Sequence, residues 1–580
     1  MFNKNMWFSL IVGLLIGTLL LVGCQAEAPT PAEEAVEETV VEETVEEEAA
    51  AEEPAEAEAQ AEEPAEAEAP AEEAEQVLRI LHGYFDMDWS PMRGGGGYTR
   101  LLSLWWAAPM YFDAKGELQP YVFNEWSPNG DFTLWTFKID PNAVFSDGSS
   151  ITAEDVKGTW DLSAHPATMH QRVDLFLSGV EGFDAVKTGE AQEMTGLVVK
   201  DSQTLEVTLT APDPIFYQKI ATHLISPVKI SQAMGDDGEE VVEWWHPENG
   251  VVSSGPFMPE TMDLDRGELV FVRNPNFFGP PPKLDKIIIT FVEDSQSATT
   301  MLENGEADLN TYISTPTLID DLGVDFVAGP DLPKAHNFWL DGSKEPTNDI
   351  NVRKALIMAI NPEDLIKASY PNGPNPMATQ ILNAVPGADD PTYEPFPYDP
   401  EAAKEALAAS SYGSAENLPK IMMVGISYPA AEAAAQYIAE QWRQVLGIEA
   451  VDMKPQYDDY SGPDQENIQI FRDDVGSRVP DAVSYLQGSI HSSSGNAIRK
   501  MGGYANPEID ALIDEAATKG TDDPDRIALA QEAQRLFRED WMFIPWAIDP
   551  SSPFAMPWVK NAERNPDWQI AEPWNLTIEK

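Results

Sequence analysis

Between Trp126 and Trp160 the apolar positions recur first every second residue and then every third or fourth, with turn residues at the change. Trp135, Phe137 and Ile139 alternate with Thr136 and Lys138. That is the pattern of a half-buried strand, entered through the turn cluster Pro128-Asn129-Gly130-Asp131. Asp147-Gly148 predicts a second turn. Thr152 then precedes Asp155 by three residues, so its hydroxyl can accept from a first-turn amide while the carboxylate reaches back. Val156 and Trp160, one turn apart, predict the buried face of the helix that follows.

The same alternation of strand and helix recurs along the chain. A strand is predicted over 77–81. Residues 269–310 read strand (269–273), strand (287–292), helix (295–304) closed by Gly305, and strand (307–310), which is α/β patterning with glycine as the left-handed cap. Four later helices open on a capping residue followed by proline: Asn361-Pro362, Asp399-Pro400, Asn506-Pro507 and Asp523-Pro524. A helix over 430–446 puts Ala431, Ala434, Ile438, Trp442 and Val445 on one face and stops at Gly447, ahead of an alternating strand at 448–453.

Both ends of the N-terminal region depart from this pattern. Lys4 is followed by an apolar run over 6–22 that closes on Leu21-Val22-Gly23-Cys24, which predicts a lipoprotein signal peptide (1–24) with Cys24 as the lipidated residue. Cys24 is the chain's single cysteine, so no intramolecular disulfide can form and the fold rests on its core. Residues 25–76 are Ala, Glu, Pro, Val and Thr apart from three Gln, with a near-perfect decapeptide repeat over 51–70. They hold 21 Glu and no Lys or Arg, which predicts a disordered, extended linker. As a flexible coil it would span roughly 40 Å, lengthened by charge repulsion.

Of the 98 acidic residues, those 21 lie in the linker; 77 acidic against 35 basic remain over 77–580, a formal charge of −42. Such a field argues against nucleic acid as a partner; it suits either a saline or acidic habitat or a cationic ligand. About 500 residues after the linker call for two or three subdomains. The loop Arg93-Gly94-Gly95-Gly96-Gly97-Tyr98 is either an anion cradle or a mobile surface loop, and without a G-K-[ST] ending it is no nucleotide site. The seven histidines are scattered, no zinc spacing or G-x-S-x-G elbow occurs, and no cofactor or metal is expected. An extracellular hydrolase with a dispersed triad is the remaining catalytic alternative.

The run from Trp126 through the Val144-Phe145-x-Asp147-Gly148 and Thr152-Ala153-x-Asp155-Val156 segments resembles the signature of the extracellular solute-binding proteins of family 5, the peptide and nickel type components of ABC transporters. Ser254-Gly255-Pro256-Phe257, Arg273-Asn274-Pro275-Asn276-Phe277-Phe278-Gly279, Asn304-Gly305-Glu306-Ala307-Asp308, Val352-Arg353-Lys354-Ala355-Leu356 and Tyr398-Asp399-Pro400-Glu401-Ala402-Ala403-Lys404 extend the resemblance over about 77–550. It implies an α/β, two-lobed periplasmic-binding-protein-like fold with the ligand cleft between lobes. Lobe I would comprise 77–336, with an extra subdomain at about 101–220, and a return segment at 544–580; lobe II would be 337–543. It further implies a monomeric, lipid-anchored protein on the outer face of the cytoplasmic membrane that serves an ABC permease and ATPase and is not an enzyme. Peptides are the expected ligand, with oligosaccharides the alternative; sparse histidines argue against nickel.

By resemblance, an aspartate late in lobe II would hold a peptide's α-ammonium, which points to Asp474 or its neighbour Asp473. Dipeptide binders bring an arginine to the ligand carboxylate in a loop matching Ser427-Tyr428-Pro429, and none occurs there, which favours longer peptides or oligosaccharides. For sugar rings the stacking candidates are Tyr98, Trp106 and Trp245. Of the adjacent pairs Trp105-Trp106 and Trp244-Trp245, one member each is expected in the core and the other at the cleft.

Overall fold

The computed structural model describes residues 75–580 apart from 84–88, 95–96, 264, 312–324, 327–333, 372–376, 386–387, 427–428, 455–466 and 549–553. Cys24, the signal peptide and nearly all of the linker therefore lie outside the described residues, as do Ser427 and Tyr428.

Strand Leu134–Ile139 forms where alternation placed it, with Trp135, Phe137 and Ile139 buried and Lys138 exposed. It is central in a four-stranded antiparallel sheet with Phe123–Pro128, Thr204–Thr208 and Leu197–Asp201. The Thr152–Asp155 capping box is reciprocal: the Thr152 hydroxyl accepts from the Asp155 amide at 3.3 Å, and Asp155 Oδ2 accepts from the Thr152 amide at 3.0 Å. Helix Ala153–Ala164 follows, and Val156 and Trp160 are fully buried on its inner face. The Trp160 indole also donates to the Ile225 carbonyl at 3.1 Å.

A seven-stranded sheet runs in the order Asp325–Phe326, Phe554–Ala555, Leu309–Asn310, Val77–His82, Lys286–Phe291, Glu268–Arg273, Phe257–Asp263. Val77–His82 pairs in parallel with Lys286–Phe291, and Ile80 and Ile289 face each other in register and are buried. A second, five-stranded sheet runs Val451–Lys454, Ile421–Val424, Ile470–Gly476, Lys334–Leu340, Phe543–Ile548. Lys334–Leu340 is antiparallel to both of its neighbours, Ile470–Gly476 and Phe543–Ile548, whereas Ile421–Val424 is parallel to both of its own. Helices Ile350–Met358, Pro362–Ser369, Pro400–Ala409, Pro429–Gln441, Ala482–Ser489, Pro507–Ala517 and Pro524–Glu539 occur with this second sheet in sequence. All four Asx-Pro caps are made: Asn361, Asp399, Asn506 and Asp523 each accept from an amide of the first turn.

Two hydrophobic cores result. One gathers residues from Leu78 to Leu309 together with Ala555 to Leu576, and the other gathers Ala335 to Ile548. The C-terminal segment is fastened into the first: Trp558 Nε1 donates to Asp308 Oδ1 at 2.9 Å, beside the ion pair of Arg79 with Asp308. The helix expected over 430–446 is split into an α-helical part, Pro429–Gln441, and a wider π-helical turn, Trp442–Leu446. That turn shifts the buried face by a residue, so Leu446 packs inward and Val445 is only partly covered. No helix among the described residues is long and apolar enough to cross a membrane.

Candidate functional site

Strand Ile470–Gly476 carries both candidate aspartates, in the middle of the second sheet, beside Lys334–Leu340. The register places His336 opposite Asp474, Asn337 opposite Asp473 and Phe338 opposite Arg472. Because side chains alternate across a strand, Arg472 and Asp474 share one face with Lys334 and His336, and Asp473 points to the other. The two alternative candidates thus lie on opposite faces of the sheet.

On the first face Asp474 Oδ2 sits 3.0 Å from Lys334 Nζ and Oδ1 4.0 Å from Arg472 Nη1. The Arg472 guanidinium is buried, bonded to His336 Nδ1 and held 5.6 Å over the Trp546 ring. Burial pushes the Asp474 carboxyl up. Lys334, His336 and Arg472 more than reverse this and hold it well below the usual carboxylate range. On the opposite face Asp473 pairs with Lys500 and accepts the Asp474 amide at 2.8 Å. Each aspartate is thus paired with a lysine, Asp474 with Lys334 and Asp473 with Lys500.

Two residues beyond the strand, Arg478 leaves the second core and meets the first. Its Nη1 donates to the Asp567 carbonyl at 2.9 Å and to Asp567 Oδ1 at 2.5 Å. Asp567 is wholly buried and also accepts from Thr222 Oγ1 and the His223 amide, each at 3.1 Å. Burial raises its pKa; Arg478 first, then His223, bring it below the ordinary carboxylate value. The Arg478 guanidinium lies 4.7 Å over the Trp568 ring, with Lys334 Nζ at 5.4 Å and Arg100 at 5.7 Å. Trp568 holds this place with a left-handed backbone, φ 63°, uncommon for an aromatic residue. A second contact between the two cores' segments joins Tyr217 to Thr521, hydroxyl to hydroxyl, at 3.4 Å.

The tryptophan pairs sit differently from expectation. Trp105, Trp106, Trp244 and Trp245 are all buried, none more than 2% exposed. The expected division failed because neither pair lies in a strand: Trp105 and Trp106 follow the short helical turn Leu102–Leu104, and Trp244-Trp245 occupies a turn. Trp106 packs 5.0 Å from Trp105 and 5.5 Å from Trp244, and Trp245 lies against His246. The family-like Ser254-Gly255 segment clamps the first pair: Gly255 N donates to the Trp105 carbonyl at 2.9 Å, and Ser254 Oγ accepts from Ala107 N at 2.9 Å. Tyr98 lies in the turn Gly97–Arg100; its side chain is outside the described residues. In the glycine loop Arg93 is engaged by Glu240 at 3.1 Å and by the Thr168 carbonyl, and Gly94 at φ 63° lets the His170 ring approach. Among the described residues no group of three His, Cys, Asp or Glu is placed to hold a metal ion.

Sequence reasoning missed Lys334, Lys500, Asp567 and Trp568. A family model described as bacterial extracellular solute-binding proteins, family 5 Middle, matches residues 117–497. The chain belongs to this family. Among its relatives, the dipeptide-binding protein DppE of Bacillus subtilis is 24% identical over 80% of this chain and 83% of its own length. The periplasmic oligopeptide-binding protein OppA of Salmonella typhimurium is 25% identical over 77% of this chain and 82% of its own. The solved structure of the Escherichia coli murein tripeptide-binding protein MppA superposes with a TM-score of 0.69 at 22% identity, over 88% of this chain and 99% of that one. The two-lobed α/β architecture expected of a family 5 protein is therefore the one this chain adopts.

Proposed function

We propose that this protein is the substrate-capturing component of an ABC importer, binding peptides between its lobes and passing them to a membrane permease driven by a cytoplasmic ATPase. The observation that carries the reading is the family 5 match over 117–497 on a two-cored fold, with peptide-binding proteins among the relatives. On this reading lobe I comprises 77–336 and 544–580, and lobe II comprises 337–543. The adjacent strands Lys334–Leu340 and Phe543–Ile548 are then the hinge about which the cleft closes on its ligand. Cys24 carries the lipid, and residues 25–76 are the tether that holds the lobes away from the membrane.

For the ligand's α-ammonium the reading uses Asp474, whose carboxylate already accepts an ammonium from Lys334 at 3.0 Å. A peptide amine would share or displace that lysine in a charge-assisted contact of about 1.5–3 kcal/mol. Thermal shift and small-angle scattering against mixed peptides and against cello-, xylo- and manno-oligosaccharides test it. Peptides should raise the melting temperature and compact the particle, and N-acetylation of a bound peptide or Asp474→Asn should weaken binding. Stabilisation by sugars alone would overturn the peptide assignment, and no response to any solute would overturn the transport role. Cys24→Ser should release the protein or leave it unprocessed; membrane retention with a processed N-terminus would contradict the anchor.

A further inference from the structure

The turn joining helices Pro507–Ala517 and Pro524–Glu539, in the second core, meets the aromatic edge of the four-stranded sheet in the first at two points. Thr521 Oγ1 lies 3.4 Å from the Tyr217 hydroxyl, at an exposed position, and a β-carbon built on Gly520 would stand 3.7 Å from Phe132 Cζ, which leaves room for that one carbon and nothing larger in the direction of the ring. Both sides of this seam are firmly mounted. Tyr217 is stacked 6.1 Å from Trp126 at 22° and lies 5.3 Å from Trp135, and its hydroxyl accepts from Gln218 Nε2 at 3.0 Å, which leaves its own proton for Thr521. Phe132 holds a left-handed backbone, φ 60°, and its carbonyl accepts from the Asp213 amide at 3.1 Å. Across the seam the Lys519 carbonyl accepts from the buried Arg526 guanidinium at 2.9 Å, and the Gly520 carbonyl from the Asp523 amide at 3.1 Å.

We infer that this seam is a catch: Phe132 and Tyr217 on one side and Gly520 and Thr521 on the other hold the lobes shut at their outer edge and so set how long a captured solute stays. The inference rests on the hinged, solute-binding reading above. None of the four residues belongs to Lys334–Leu340 or Phe543–Ile548, so a rotation about those strands that parts the lobes breaks both contacts and leaves each lobe intact. The contacts therefore favour the closed state alone. Their contribution is the same whatever lies in the cleft, because neither contact includes the solute. Affinity for every solute rises with the closed population, while the choice among solutes stays with the groups that touch them. The four-stranded sheet thereby acquires a role in closure.

Ser127 and Glu508 are exposed and lie on opposite sides of the seam. Spin labels on Ser127→Cys and Glu508→Cys, in a full chain carrying Cys24→Ser so that only these two thiols remain, report the ratio of closed to open molecules by pulsed electron resonance. The ratio is read with no solute and with a pool of mixed tri- to pentapeptides. Gly520→Phe drives a second ring into Phe132 and should lower the ratio about 5- to 100-fold, the usual penalty of overpacking. Adding Phe132→Gly clears that space and suits the left-handed backbone at 132, so the pair should regain most of the loss, which a merely damaged turn would not. Tyr217→Phe removes one hydroxyl, should lower the ratio about 2- to 5-fold, and carries the test if Gly520→Phe fails to fold. A ratio unmoved by Gly520→Phe and Tyr217→Phe, or one lost in Gly520→Phe and not regained with Phe132→Gly, would overturn the catch, and closure by the peptide pool would still uphold the solute-binding reading. If the pool closes no protein while the substitutions still move the ratio, the catch holds and the solute-binding reading falls. Identical distances in every protein, with and without peptide, would overturn both.

Discussion

Replacing Arg526 with Met should destabilise the second lobe by about 3–5 kcal/mol, the usual result of breaking a buried ion pair from one side. Arg526 is 2% exposed, and its guanidinium makes four hydrogen bonds: to Asp481 Oδ1 at 2.8 Å and Oδ2 at 3.0 Å, and to the carbonyls of Ala516 at 2.8 Å and Lys519 at 2.9 Å. Those carbonyls close helix Pro507–Ala517, while Asp481 caps helix Ala482–Ser489 through the Ser484 amide at 2.8 Å. One side chain on helix Pro524–Glu539 therefore ties two other helices. Methionine fills similar volume but leaves a buried carboxylate with only its capping amide and takes the guanidinium donor from the Lys519 carbonyl, while the Ala516 carbonyl keeps the Lys519 amide. Adding Asp481→Ser retains a capping oxygen and removes the stranded charge, so the double variant should regain at least about 1 kcal/mol over Arg526→Met. Urea unfolding by tryptophan fluorescence, with hydrogen exchange over 482–489 and 524–539 to assign the transition to this lobe, measures both. A loss below about 1 kcal/mol for Arg526→Met, or a double variant less stable than the single, would refute the argument that stranded charge dominates.

Gly255→Ala should cost about 2–4 kcal/mol, because its Cβ would fall 2.4 Å from the Trp105 carbonyl carbon and 2.6 Å from the Trp106 nitrogen, backbone atoms that cannot rotate away. Near-UV circular dichroism of the Trp105–Trp106–Trp244 cluster should change with it, and an unchanged spectrum with unchanged stability would count against the close approach. His170 is held by burial at a pKa of about 4, against the opposing pull of its bond to the Leu224 carbonyl. Its folded value lies below its unfolded one, so this group begins to destabilise the fold as pH drops beneath about 6.5, reaching roughly 3 kcal/mol near pH 4. His170→Gln should flatten the stability profile across that window, and an identical acid slope in both proteins would remove His170 as its cause.

Most of the fold was legible because local signals agreed with the burial they implied. The period-two run at Trp135, the Thr152 capping box and the four Asx-Pro caps each specify backbone within a few residues, and each formed as read. The π-turn at Trp442–Leu446 was not legible: a 3.6-residue period predicts a smooth face, and nothing in Trp-Arg-Gln-Val-Leu announces an extra residue in one turn. The Trp105 and Trp244 pairs were misjudged for a related reason. Alternation separates neighbours only in strands, and in irregular backbone two adjacent indoles can both turn inward, as the Gly255 clamp makes Trp105 and Trp106 do.

The two aspartates stand out in the sequence, and their partners do not. Asp473 and Asp474 stand out as adjacent charges in an apolar strand, but Lys334 lies 140 residues upstream of Asp474 and Asp567 lies 89 residues beyond Arg478. Sequence spacing carries no information over such separations; only the pairing of Lys334–Leu340 with Ile470–Gly476, and the return of the C-terminal segment to the first core, bring these groups together. Net charge carries no such local information either. A formal charge of −62 is an average over a linker and a surface, whereas the field at any one group depends on the few charges within a Debye length of it. Around Trp568 those groups include Arg100, Lys334 and Arg478, and the acids among them are already paired. The charge around that ring is therefore not set by the net charge of the chain.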